Sequence, residues 1–127
     1  MNIRKRTVES VAVITMDGQL DSHSAPVVQD RMSRLLPAGG QVLLDFSKVV
    51  CVSGEGVRTL LLVYRHAQCI DCQVALVGVA PEMLNILGAT GFLEFFLVSE
   101  TIADALAAFQ AAAGEEEQAD EQPALRA

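Results

Sequence analysis

The spacing of apolar residues along the chain switches several times between alternate positions and a period of roughly three to four residues. Alternation, or a short continuous apolar run, is typical of a β-strand, whereas the longer period is typical of a helix. The strand pattern occurs in five segments: residues 2–6, 11–18, 41–52, 72–79 and 95–100. The run QVLLDFS at 41–47 is continuously apolar over much of its length, which predicts a strand in a sheet that is covered on both faces.

Four helices are predicted where the period lengthens. Each starts at a residue suited to a helix N-terminus and stops near glycine or proline, or where the apolar face ends. They are expected between the candidate caps Asp21, Ser22 and Ser24 and Pro37, from about Val57 to Gln68, from Pro81 to about Gly88, and over 102–113 after Ser99 or Thr101. Strands that alternate with helices predict an α/β domain with a mixed, mainly parallel sheet of four to five strands and about four helices.

Length and charge divide the chain into a body and a tail. A chain of 127 residues with 51% hydrophobic content forms one packed domain, which we place at residues 1–113. The last 14 residues, GEEEQADEQPALRA, hold five acids and one arginine and therefore carry −4 of the net charge of −7. Because residues 114–127 have almost nothing apolar to bury, we expect them to be a disordered acidic tail.

The remaining charge of −3 on the body narrows the class of partner. Lysine and arginine do not gather into a basic stripe, so nucleic acid is not an expected partner, and proteins are. The apolar runs are too short to cross a bilayer, and the N-terminal MNIRKR is followed by no signal-peptide core, so we expect neither a membrane partner nor export. The expected location is the cytoplasm.

Three cysteines, an odd number, argue against a disulfide framework. Cys69 and Cys72 have the spacing of a redox pair, but they follow a helical pattern and precede a strand, so we interpret both as structural and keep a CxxC redox protein as a lesser alternative. Cys51 is expected in the core. His66 has no cysteine or acid at ligand spacing and is expected to be exposed; no metal or other cofactor is predicted.

Four strings of residues together resemble the STAS domain of bacterial anti-sigma factor antagonists, across residues 1–112. GQLDSHSA at 18–25 is similar to the family's G-x-L-D turn, and LLDFSKV at 43–49 to its D-L-S-x-V strand end. Gly56-Val57 is similar to the start of the family's next helix. GVAPEMLNILGATGF at 78–92 is similar in order and spacing to its P-x-[VM]-x-x-x-[LF]-x-x-[ST]-G-[LF] segment.

This resemblance implies a non-catalytic switch protein that regulates transcription. In that family the unmodified antagonist binds a kinase-type anti-sigma factor. The kinase phosphorylates a serine at the start of the helix after the third strand, and a serine phosphatase reverses the modification. The implied partners are therefore a kinase-type anti-sigma factor and a serine phosphatase, and a homodimer stays an open alternative.

The turn that should carry the phosphate departs from the family pattern. The family's D-S-S-G reads Ser53-Gly54-Glu55-Gly56 here, so alignment on Gly56 puts Gly54 where the acceptor serine is expected. Ser53, one residue earlier, is a candidate phosphorylation site or a plain helix cap. Glu55 places a fixed negative charge in the first turn of the helix, where it either imitates a phosphate in part or only stabilises the helix.

The remaining candidates lie around this turn. Asp21 and His23, in the turn that resembles G-x-L-D, are expected on the same partner-facing rim, or as caps of the first helix. Arg58, which shares a helix face with Arg65, is either a partner contact or a solvated residue. The resemblance leaves a second function open, a STAS scaffold or small-ligand sensor, with an expected cavity lined by Met16, Val52 and Leu60. An enzyme is disfavoured, because the sequence has no G-x-S-x-G and no lysine in its Gly-rich turn.

Overall fold

Strands and helices alternate along the chain, as the hydrophobic pattern predicts. The computed structural model describes residues 1–89, 91 and 96–120, and for 112–120 it describes the backbone alone. The elements are β1 (Asn2–Val8), β2 (Val11–Leu20), α1 (Ala25–Leu35), β3 (Gln41–Val52), α2 (Gly54–Cys69), β4 (Gln73–Val77), α3 (Pro81–Ala89), β5 (Leu97–Ser99) and α4 (Ile102–Asp120). The predicted fold class, an α/β domain with a mixed sheet, is confirmed.

The five strands form one sheet in chain order. β1 and β2 form an antiparallel hairpin, whereas β2, β3, β4 and β5 run parallel to one another. Right-handed crossovers that always step in the same direction place their helices on the same face of a sheet. α1, α2 and α3 accordingly pack on one face, and α4, which follows the last strand, packs on the other.

Two apolar layers hold the sheet between its helices. The larger layer joins α1, α2 and α3 to residues such as Ile14 and Leu44, and the smaller layer joins Phe109 of α4 to residues such as Leu43. Because successive strand residues point to opposite faces, a strand between two layers must be apolar at consecutive positions. Val42, Leu43 and Leu44 are all buried, which confirms the prediction from the continuous run.

β3 is much longer than β4, the strand that pairs with it on the side away from β2. β4 pairs with β3 only as far as Asp45, opposite Val77. At this point the side-chain oxygen Oδ1 of Asp45 accepts a hydrogen bond from the backbone N–H of Ser47, at 2.9 Å. The following residues, Ser47–Val52, extend beyond β4, and within the described part of the chain they pair with β2 alone. We call this segment the β3 arm.

Three local predictions are corrected. Cys51, expected in the core, is exposed because it lies on the β3 arm, where β4 no longer covers the strand. α2 begins at Gly54 and not near Val57, because the turn before it is already helical. His66 is half-buried and not exposed, since it lines a shallow groove between α1 and α2.

The C-terminal helix bears on two further predictions. The hydroxyl of Thr101 accepts a hydrogen bond from the backbone N–H of Asp104 at 3.1 Å, so Thr101 is the cap expected for α4. α4 continues through Asp120, so the backbone has no break at residue 114, where the acidic tail was expected to begin. The division of the chain at this residue stays a prediction, and residues 121–127 of the expected tail lie outside the described part. Phe95, at the start of the last predicted strand, also lies outside it.

Candidate functional site

The turn after the β3 arm is the N-terminus of helix α2. Ser53 is its N-cap, with an extended backbone, and its hydroxyl oxygen accepts a hydrogen bond from the backbone N–H of Gly56 at 3.2 Å. The carbonyl of Ser53 accepts the first helical hydrogen bond, from Val57, at 3.0 Å. A helix N-terminus carries unpaired N–H groups and about half a positive charge. The segment Ser53 to Gly56, which we call the 53–56 turn, is therefore suited to negative charge.

Gly56 fixes this turn against the end of strand β2. The backbone N–H of Ser53 donates to the carbonyl of Leu20 at 2.9 Å. A Cβ on Gly56 would lie only 2.3 Å from that same carbonyl oxygen and 2.9 Å from Cγ1 of Val52. Such contacts are far inside van der Waals distance, so only glycine allows α2 to begin this close to β2.

Gly54 differs from Gly56 in its surroundings. A Cβ on Gly54 would have no other atom within 4 Å, and its φ is not in the left-handed region. The residue is exposed at the first position of the helix. The turn therefore has room for a serine at residue 54, where the resemblance puts the acceptor. The hydroxyl is absent because the residue is glycine and not because the space is lacking.

Glu55 is exposed and lies beside a positive charge. Its carboxylate is 3.9 Å from a guanidinium nitrogen of Arg58, and both side chains are more than half exposed. Water screens such a pair, so it contributes little to stability. The arginine nevertheless offsets part of the negative field that Glu55 adds to the turn.

Asp21 organises the neighbouring turn, residues 21–24, which leads into α1. Its Oδ1 accepts hydrogen bonds from the backbone N–H groups of His23, at 2.9 Å, and Ser24, at 3.1 Å. These two donors, chiefly Ser24, hold the pKa of Asp21 below its ordinary value. Ser24 is the N-cap of α1, but its hydroxyl donates to the carbonyl of Gln19 at 2.7 Å and caps no helical N–H.

The structure brings most of the predicted site residues together. The hydrogen bond from Ser53 to Leu20 holds the 53–56 turn against the end of β2, and the 21–24 turn begins at the next residue, Asp21. Arg58 belongs to the same region through Glu55. The two turns follow the carboxyl ends of strands β2 and β3, where open α/β sheets usually present their binding residues. We call the surface formed by the two turns the composite edge.

An apolar groove beside this edge was not predicted. It lies between the β3 arm and helix α3, has a volume of about 140 Å³, and is lined by Phe46, Val49, Val50, Cys51, Val52, Ala80, Glu82, Met83 and Ile86. Of the three residues expected to line a cavity, Val52 lines this groove, whereas Met16 and Leu60 are buried in the core. The unbroken apolar run from Val49 to Val52, beyond the end of the pairing with β4, was the signal that could have revealed the groove.

The two members of the cysteine pair differ in exposure. Cys69 is exposed at the last residue of α2, whereas Cys72 is buried, and burial raises the pKa of its thiol. A raised pKa leaves little thiolate at neutral pH, which favours the structural interpretation. Within the part of the chain that the structure describes, no group of three or more His, Cys, Asp or Glu side chains could hold a metal ion. No helix in that part is long and apolar enough to span a membrane.

Comparison of the sequence with known proteins shows which family and which proteins it is similar to. A sequence profile of the STAS domain matches residues 2–105. The Bordetella bronchiseptica protein named "Putative anti-sigma factor antagonist BtrV" is 23% identical over 113 residues, which make up 88% of this chain and 97% of that protein.

Solved structures show the same fold. The crystal structure of an anti-sigma factor antagonist from Mycobacterium paratuberculosis has a TM-score of 0.72 at 21% identity and covers 84% of this chain and 92% of that chain. The Bacillus cell fate determinant SpoIIAA, in its phosphorylated form, has a TM-score of 0.64 at 17% identity, covering 85% of this chain and 99% of that chain. The fold is therefore that of the anti-sigma factor antagonists.

Proposed function

The chain belongs to the STAS domain family, whose profile spans most of its length, and we propose that it is a non-catalytic cytosolic regulator that binds an anti-sigma factor. The observation that carries this proposal is the hydrogen bond between Ser53 and Leu20, which holds the 53–56 turn against the end of β2, one residue before the 21–24 turn. A surface held in place before binding loses little freedom on binding. The composite edge is therefore the proposed partner-binding surface.

The proposed partner is an anti-sigma factor of the kinase type. Ser53, Gly54 and Glu55 present a strand-to-helix turn, and Gly54 leaves the backbone bare enough for close approach. Asp21 and His23 flank this turn, and Arg58 lies one helical turn further on. We assign these residues, with Gly56 as their support, to the contact surface.

We further propose that the chain is fixed in one state. Gly54 has no hydroxyl, and the hydroxyl of Ser53 is already engaged as the helix cap of α2. Glu55 carries one negative charge, about half that of a phosphoserine, and Arg58 at 3.9 Å offsets part of it. Imitation of the phosphorylated form is consequently weak, so the fixed state resembles the unmodified, binding-competent antagonist. A serine phosphatase is needed only if Ser53 is modified.

A kinase assay tests the fixed state directly. The natural chain, Gly54→Ser and Gly54→Ala are incubated with ATP and a kinase-type anti-sigma factor from the same genome, and the products are mapped by phosphopeptide mass spectrometry. Because the site has room for a side chain, we expect labelling of the Gly54→Ser variant at residue 54 and none of the other two. The alanine variant is the matched control, since it adds the Cβ without the hydroxyl. Labelling of the natural chain at Ser53 would replace the fixed state by a shifted switch.

A binding measurement tests the surface itself. Ser53→Asp adds a charge beside Glu55, and Glu55→Lys reverses one, so each should change the affinity for the anti-sigma factor. Arg34→Glu is the control, because Arg34 is an exposed cation on α1 that pairs with Asp30 of the same helix. If both turn variants bind like the natural chain, the turn is only a corner of the fold and the proposal fails.

A further inference from the structure

The apolar groove exposes more hydrophobic surface than the fold requires. Val50 is 79% exposed and Ile86 is 44% exposed, and both are large hydrophobic residues of its lining. Val50 lies on the β3 arm and Ile86 on helix α3, so the exposure comes from two elements that face each other across one opening. Contiguous exposed apolar surface of this kind marks an interaction site more often than a scattered single residue does.

The size of the groove limits what it can hold. Its volume of about 140 Å³ is close to that of an engineered protein cavity of about 150 Å³ that binds one benzene molecule. One large apolar side chain fits this space, and a folded helix or a second element does not. The groove is thus suited to a single anchoring residue.

The position of the groove ties it to the partner-binding edge. Val52 forms part of its wall and is followed immediately by Ser53. Cγ1 of Val52 also lies 2.9 Å from the position that a Cβ on Gly56 would take, at the base of the 53–56 turn. A protein that covers the turn therefore lies over the opening of the groove as well.

Glu82 gives the lining of the groove a negative charge. Among the described residues that line the groove, Glu82 is the single charged one, and it is exposed near the start of α3. A partner that inserts an apolar side chain here brings its next residues over this carboxylate. A lysine or arginine beside the anchor complements that charge.

We propose that the groove receives one large apolar side chain of the anti-sigma factor, next to a basic residue that faces Glu82. The inference rests on the proposed function and adds to it the chemistry of the contact. Binding energy at protein interfaces is concentrated in a few buried anchors that fill pockets, with near-neutral contacts around them. The groove is such a pocket, and the 53–56 turn supplies the surrounding polar contacts.

The test compares matched polar substitutions. Val50→Asn and Ile86→Asn place an amide in the groove, whereas Val98→Asn makes the same change at a valine on β5 that is 37% exposed. We expect the two groove variants to weaken binding of the anti-sigma factor by about tenfold or more, as for interface anchors, and the β5 variant to bind like the natural chain. Glu82→Lys should weaken binding by a smaller factor. Thermal unfolding of each variant shows that the fold is retained.

The same experiment separates this inference from the proposed function. If Ser53→Asp and Glu55→Lys weaken binding while the groove variants match Val98→Asn, the groove inference fails and the proposed function stands. If neither set weakens binding, both fail. Sedimentation of the isolated chain and titration with decanoate test the other occupants. A dimer that Val50→Asn dissociates, or micromolar decanoate binding that Val50→Asn abolishes, would overturn the inference in favour of a second copy or a small amphiphile.

Discussion

The two halves of strand β3 have the same hydrophobic content and opposite surroundings. The first half, Gln41–Phe46, and the β3 arm, Ser47–Val52, each contain four apolar residues. All four in the first half are buried, whereas Val50 and Cys51 in the arm are exposed. The first half lies between β2 and β4 with helices on both faces, while β2 is the one sheet neighbour of the arm among the described residues.

This difference shows that hydrophobicity and burial are separate properties of a strand. An apolar residue stabilises the fold only where another part of the chain covers it. Where the cover ends, the same kind of residue offers surface to another molecule. In this chain the change in burial follows Phe46, one residue beyond the last pairing of β3 with β4 at Asp45. The following predictions test whether the two halves differ as strongly as their surroundings imply.

The largest effect is expected from Leu44→Ala in the first half of β3. Leu44 is buried, and removing a buried leucine side chain typically costs about 2–5 kcal/mol. Val50→Ala in the arm should cost less than about 0.5 kcal/mol, because an exposed side chain has little contact to lose. Urea unfolding of the two variants measures both. Similar losses would mean that the arm is covered in solution and that the comparison is wrong.

The next effect concerns the point where the arm passes into α2. Gly56→Ala forces a Cβ against the carbonyl of Leu20 and should destabilise the protein by about 1–3 kcal/mol. Gly54→Ala meets no atom within 4 Å and should be neutral or slightly stabilising, since alanine favours the helix. Thermal unfolding distinguishes them. Equal behaviour of the two alanine variants would contradict the close approach of α2 to β2.

The reactivity of the three thiols tests the difference between the two halves of β3 without a measurement of stability. Cys51 on the arm and Cys69 are exposed, so both should react rapidly with a thiol reagent in the folded protein. Cys72 is buried, and burial raises its pKa, so it should react only after unfolding. Counting fast and slow thiols before and after denaturation, with Cys51→Ser to assign the arm, gives the answer. A slow Cys51 would place a cover over the arm.

The smallest effect comes from the turn that flanks the arm. The ionised form of Asp21 is stabilised in the folded state, so its pKa lies below its ordinary value of 3.8. The contribution to the free energy of unfolding is therefore complete above an unfolded pKa of about 3.9 and is lost as the pH falls through the folded pKa. Asp21→Asn should be less stable than the natural chain at neutral pH, by a margin that shrinks in acid. A margin that is the same in unfolding experiments at about pH 7 and about pH 3 would show that the charge has no role.

The sequence was informative where local chemistry decides the structure. Pro81 predicted the start of α3, Thr101 the cap of α4, and the run at Val42 to Leu44 a strand covered on both faces; all three predictions are confirmed. The prediction for Cys51 failed because its burial depends on where β4 ends, which no local pattern records. The groove was missed for the same reason, since its two walls, the β3 arm and α3, are distant in sequence.

The open space beside Gly54 affects which substitutions a STAS domain such as this one can accept during evolution. A position that accepts either glycine or serine without disturbing its neighbours imposes no structural barrier between an unswitchable protein and a phosphorylatable one. The neighbouring Gly56 has no such freedom, because any side chain there collides with Leu20. A single substitution at residue 54 is thus enough to add or remove an acceptor hydroxyl, whereas a substitution at residue 56 destabilises the fold.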